Sequence, residues 1–159
     1  MSTPRNRSRL AASLVLLALV SAAFAVPSAH AIVRADRRPT TDDLAQRMLG
    51  LVNRSRSNHG LIELRVNGQL TKEALRHSRR MARTHSITHT PNLAALVRSV
   101  GGSVFGEDLA KGRGIRGIRD AWIRQADTRR IMLDPRFRNV GLGVVHIDGF
   151  FWVTLQAFD

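Results

Sequence analysis

The stretch THSITHTP, residues 84–91, sets His85 and His89 four positions apart in a 159-residue chain with six histidines. On a helix the two imidazoles would share a face and could hold one zinc ion. Off a helix, either one alone could act as a base near neutral pH. Ile87, Thr88 and Thr90 are β-branched, and Pro91 disfavours helical backbone at Thr90, so the helix is expected to end before His89. A zinc site built from His77, His85 and His89 would need that helix to continue, and is not expected. His77 lies on an apolar stripe, where a histidine is expected to be a hydrogen-bonded packing residue. Nucleophilic catalysis has little to draw on, because the chain has no cysteine and no serine in a nucleophile context.

The elements that must position these residues follow from hydrophobic spacing. Thr40 or Thr41 can cap a first helix with Asp42 and Asp43 in its first turn, carrying Leu44, Met48, Leu51 and Val52 at helical spacing to a stop at Gly60. NGQLTKEALRHSRRMARTH gives a second helix, with Leu70, Ala74, His77 or Ser78, and Met81 on one stripe. Pro91 can open a short third helix that Gly101 and Gly102 end. SVFGEDLAKG reads as a short strand or extended segment carrying Glu107. IRGIRDAWIRQA reads as a fourth helix whose stripe runs Ile115, Ile118, Trp122, Gln125. Gln125 is therefore expected to be buried beside Trp122, where a missing partner would cost roughly 1 to 3 kcal/mol. DTRRIMLDPRF is a short turn or helix closed before Pro135. Two β-rich runs flank Asp148-Gly149, a two-residue hairpin signal. Both faces of that hairpin are apolar, so both must be covered. The expected fold class is α+β: a three-layer α/β/α sandwich with a small antiparallel sheet between helices.

RNRSR, an apolar run from Leu10 to Val26, and AHA at 29–31 have the layout of a secretory signal peptide. Residues 1–31 are read as that signal, with cleavage after Ala25 or retention as an anchor as the alternatives. Residues 32–41 are read as a polar linker and 42–159 as one domain. Removing Arg5, Arg7 and Arg9 lowers the formal charge from +13 to +10. Outside a cell such a charge favours anionic lipid or wall polymer. The basic residues look dispersed, without a clustered basic helix or interleaved aromatics, which argues against nucleic acid as a partner.

Taken in order, LVNRSR (51–56), THT (88–90), FGEDLA (105–110), AWIRQADTRRIML (121–133), DPRFRNVGLGV (134–144) and FFWVTLQAF resemble the CAP superfamily. That superfamily joins cysteine-rich secretory, antigen 5 and pathogenesis-related 1 proteins, and the chain looks most like its cysteine-free bacterial branch. The resemblance covers about residues 42–158 and implies the same sandwich. It also implies a cleft of two histidines and two acids. Their counterparts here are His89 (in ITHT), Glu107 (in GED, where the family has GEN), Gln125 for the second acid and Thr128 for the second histidine. Only two of the four keep their chemistry, so neither a metal nor any other cofactor is expected. Asn53 and Arg56, matching the family's N..R, are expected to hold loops.

These readings converge on a secreted or envelope-associated monomer with a degenerate cleft of His89, Glu107, Gln125 and Thr128. The expected function is binding an anionic envelope component or a small lipid-like ligand, with no transmembrane segment after signal removal. The alternative is a weak metal-independent hydrolase, with His89 as base and Glu107 orienting it.

Overall fold

Thr40 begins the regular structure: its hydroxyl accepts from Asp43 N while the Asp43 carboxylate accepts from Thr40 N, a reciprocal cap. The structure, a computed structural model, describes residues 39–159, so the expected signal segment and most of the linker lie outside the described residues. The elements are α1 (Thr41–Ser57), β1 (Arg65–Val66), α2 (Gly68–Thr84), α3 (Leu93–Ser99), β2 (Phe105–Gly112), α4 (Ile115–Arg124), α5 (Ala126–Met132), β3 (Asn139–Ile147) and β4 (Phe150–Phe158). Among the described residues no helix is long and apolar enough to cross a membrane.

The sheet runs β1-β3-β4-β2. β2, β3 and β4 are antiparallel, as expected, but the two residues of β1 add a parallel edge to β3 (Arg65↔Asn139, Val66↔Val140). The hairpin turns at Asp148 (φ 50°) and Gly149 (φ 74°), the pair of positive φ values that a tight two-residue turn needs. One face, through Leu142, Val144, Val153 and Leu155, packs on Met48 and Val52 of α1, Ile118 and Trp122 of α4, and Met132 of α5. The other face meets α2 and α3 through Phe158 with Leu70, Leu93 and Val97, and through Val145 and Trp152 with Met81 and Ala82. The expected sandwich is thus present, and each apolar face is covered.

α2 lies so close to β3 that glycine is required beneath it. A Cβ on Gly143 would stand 2.3 Å from the Ala74 carbonyl carbon and oxygen, and one on Gly141 2.4 Å from the Leu70 Cβ. These neighbours are mostly helix backbone, which cannot swing aside. Gly143→Ala is expected to cost at least about 1 to 3 kcal/mol, because the whole helix must lift. A urea midpoint unchanged from the parent would refute it. Across this interface Ser78 Oγ lies 3.0 Å from Gly143 O and 2.9 Å from Thr154 Oγ1, so the buried hydroxyl has partners on both central strands.

Two readings of the sequence need correction. α4 stops at Arg124, and Gln125 has extended backbone (ψ 131°) as the junction to α5, so its side chain is exposed and does not sit buried beside Trp122. The basic residues are also less dispersed than they look along the chain. Lys72, Arg76, Arg79, Arg80 and Arg83 are all exposed on α2, opposite its buried stripe.

Candidate functional site

β2 is the free edge of the sheet, and its alternation sends Glu107 and Asp108 to opposite sides. A Cβ on Gly106 would touch Ile131, which places the Gly106 and Asp108 face of β2 against α5. Glu107 points the other way, towards the segment joining α2 to α3. Its carboxylate is enclosed: Oε2 accepts from His89 Nδ1 (2.7 Å) and Thr90 N (3.0 Å), while Oε1 accepts from Thr90 Oγ1 and from Gln156 Nε2 (3.0 Å). A carboxylate has about four acceptor positions, and all are filled. Burial pushes the Glu107 carboxyl upward, but hydrogen bonds from the Thr90 hydroxyl and amide, Gln156 and His89 outweigh it, leaving Glu107 below the usual range.

The stretch THSITHTP is a loop, as its β-branched residues and proline predict. α2 ends with His85 in the left-handed region (φ 50°), and Ser86 N returns to Met81 O at 3.2 Å. His77 Nε2 donates to Thr88 O from the buried face of α2, the packing role expected of it. The loop is therefore anchored from the helix at Thr88 and from the sheet at His89 and Thr90. His85 turns away and meets the edge of the Trp152 ring at 6.3 Å. His89 is 77 % exposed in its side chain while Glu107 is 4 % exposed. Because Nδ1–H is given to Glu107, the neutral imidazole keeps its Nε2 lone pair free.

A cleft of about 290 Å³ wraps the free edge of β2, with Ile87 and His89 on one side, Asp127, Thr128 and Ile131 on the other, and Glu107 to Leu109 between. His89, Glu107 and Thr128 thus share one cleft, and Gln125 does not line it. Thr128 Oγ1 donates to Trp122 O at 2.9 Å, so its hydroxyl ties α5 to the end of α4. A zinc ion in the family manner does not fit these residues. Thr128 is engaged, Glu107 has no free acceptor position, and His89 alone offers one nitrogen; among the described residues no group of three acids or histidines is arranged to hold a metal ion.

The sequence reading missed Asp108, Thr90 and Gln156. Asp108 is 1 % exposed, and neither carboxylate oxygen has a hydrogen-bond partner. Burial first, and then the neighbouring Glu107 charge, push it up to about 8. Gln156 had a visible signal, a long polar side chain in a strand that is apolar but for Thr154. Arg56 and Asn53 hold loops, as expected: Asn53 exchanges two hydrogen bonds with Leu64, and Arg56 donates to four carbonyls.

The family model described as CAP: Cysteine-rich secretory protein family matches residues 49–156. Among solved structures, an outer surface protein from Borrelia burgdorferi superposes with a TM-score of 0.67 at 15 % identity, covering 76 % of this chain and 95 % of that one. An extracellular protein containing a SCP domain from Bacillus anthracis gives 0.60 at 25 % identity, over 77 % of this chain and 44 % of its own. A cysteine-rich secretory protein from Staphylococcus aureus gives 0.63 at 14 % identity, over 77 % and 40 %. The chain therefore spans less than half of the last two proteins. No curated protein matches.

Proposed function

Since the chain belongs to the cysteine-rich secretory protein (CAP) family, we propose that it is a secreted binding module of the cell envelope. Its cleft would take a small apolar or lipid-like ligand, and its basic surface would favour an anionic envelope component. The observation that carries this reading is the saturation of Glu107. A carboxylate whose acceptor positions are all filled by Thr90, His89 and Gln156 acts as a structural post. The cleft left beside it has Ile87, Leu109 and Ile131 on its walls, and Ile87 is 52 % exposed at its mouth. Apolar walls set among a few polar groups, here His89, Asp127 and Thr128 beside the enclosed Glu107, are compatible with a small-molecule site. The outer surface and extracellular proteins that share the fold support an envelope location.

A second reading has one observation in its favour. His89 Nε2 is free while Nδ1 is held by a carboxylate, the orientation a general base needs. Incubating the purified protein with ester, peptide and glycan substrates, and separately with a fluorescent fatty acid, decides between the two. Binding is expected, without turnover above the buffer rate. Ile131→Glu is expected to weaken fatty-acid binding by at least about tenfold, because it places a charge in the apolar wall. Turnover abolished by His89→Ala would establish the hydrolase instead.

A further inference from the structure

The exposed side of α2 is a basic stripe. Lys72, Arg76, Arg79, Arg80 and Arg83 project from it at helical steps of three and four, within about a 100° arc opposite buried Leu70, Ala74, Met81 and Ala82. Each step of three or four residues climbs about 4.5 to 6 Å, so the row covers roughly 16 Å of axis. Glu73 is the one acid on this helix, and it is paired with Arg76. Lys72, Arg79, Arg80 and Arg83 have no ion pair among the described residues. The charge does not stop where the helix ends. His85, at its cap, meets Trp152, and Lys111 Nζ lies 4.8 Å from the centre of the same ring. Phe150 is flanked by Lys111 Nζ at 4.3 Å and the Arg113 guanidinium at 4.8 Å, contacts that hold both cations in place.

We propose that this α2 face, continued by Lys111 and Arg113, docks a linear phosphodiester polymer with a polyol backbone, of the kind found in cell walls. The proposal rests on the envelope reading above and adds the surface and the chemical class of the partner. Arginine suits phosphate because its planar fork donates two parallel hydrogen bonds. An extended chain with one charge per monomer can follow a straight row of cations at this spacing. A bilayer fits less well, because interfacial helices need an apolar face to insert, and that of α2 is spent on the sheet. Single-stranded nucleic acid fits less well too: stacking needs open aromatic faces, and of the rings beside the row Trp152 is buried and Phe150 is flanked by Lys111 and Arg113.

The test measures binding of the full chain to purified poly(glycerol phosphate), with anionic vesicles and double-stranded DNA as separate arms. The stripe variant is Arg79→Glu, Arg80→Glu and Arg83→Glu. A control of equal net charge is Arg47→Glu, Arg54→Glu and Arg116→Glu, exposed positions on α1 and α4 across the sheet. Wild type is expected to bind the polymer with strong salt dependence; the stripe variant should lose at least about 30-fold and the control less than about threefold. Arg79→Gln, Arg80→Gln and Arg83→Gln should lose about tenfold, which keeps the test valid if reversal disturbs the fold. Equal losses in stripe and control variants would overturn the surface and leave the envelope reading standing. Stripe-dependent binding that is tighter to DNA or to vesicles than to the polymer would overturn the class of partner. Binding by wild type to neither polymer nor vesicles would overturn this proposal together with the envelope role.

Discussion

Arg56→Met is expected to lower the stability of the domain by roughly 3 to 5 kcal/mol, the largest loss foreseen for any single side chain here. Arg56 is fully buried. Its Nε donates to Ile62 O (2.9 Å), Nη1 to Met132 O (3.0 Å) and Asp134 O (3.1 Å), and Nη2 to Phe137 O (3.1 Å). One side chain of α1 thus ties down the segment leading to β1 and the whole passage from α5 into β3. Burial, then repulsion from Arg138, lower its pKa, and Asp134 works in the opposite direction. The charge is balanced chiefly by carbonyl dipoles. Methionine fills much of the volume but leaves those acceptors without a donor, and each orphan costs about 1 to 3 kcal/mol unless water reaches it. Arg56→Lys should fall between the two, since an ammonium keeps the charge but cannot span the four acceptors in one plane. Urea unfolding checks both variants. Losses below about 1 kcal/mol for both would mean that the loops hold themselves.

Arg56 also shows what a sequence does and does not disclose. Its role as a loop holder was legible from its place in LVNRSR, but the four carbonyls were not, because they lie up to 81 residues away and carry no side-chain signature. The hairpin was legible because its signal is local: Asp148-Gly149 between two apolar runs. β1 was not, since two residues pair with β3 only once Arg65 N finds Arg138 O at 2.8 Å. Gln125 was misplaced because the three-and-four spacing continues through it, whereas the helix breaks there and Thr128 takes up the freed Trp122 carbonyl. The arginines of α2 looked dispersed when counted along the chain and form a row when projected around the helix. In the cleft, His89 and Glu107 were recognisable as residues. That Thr90 and Gln156 would use up the rest of the carboxylate depended on the register of β2 on β4, which sets Glu107 opposite Gln156.

Asp108→Asn is expected to stabilise the protein as pH rises, and to do so most above pH 8. The Asp108 carboxyl is buried without a hydrogen-bond partner, and burial, then the Glu107 charge, raise it from an ordinary 3.8 to about 8. The folded state therefore holds a proton that the unfolded chain releases near pH 4. This contribution is fully present below about pH 4, shrinks as pH rises, and is lost above about pH 8. A shift of about four units corresponds to a loss on the order of 5 kcal/mol over that range. Glu107 runs the other way: its lowered pKa gives stability that is present above its ordinary 4.5 and lost as pH falls. The two slopes cancel near about pH 4, where the stability set by this pair is greatest. Asparagine, which the GEN motif of the family has at this position, resembles the protonated acid in shape and cannot ionise. Asp108→Asn should match the parent near pH 4 and exceed it by several kcal/mol at pH 9. It should also leave the acid limb set by Glu107 intact, whereas Glu107→Gln should flatten that limb and, by removing the charge that helps raise Asp108, make the alkaline one shallower. Denaturant midpoints of the three proteins between about pH 2 and 9 measure this directly. Parallel profiles for parent and Asp108→Asn would show that Asp108 is ionised in the fold, and that its oxygens reach donors or water beside the cleft.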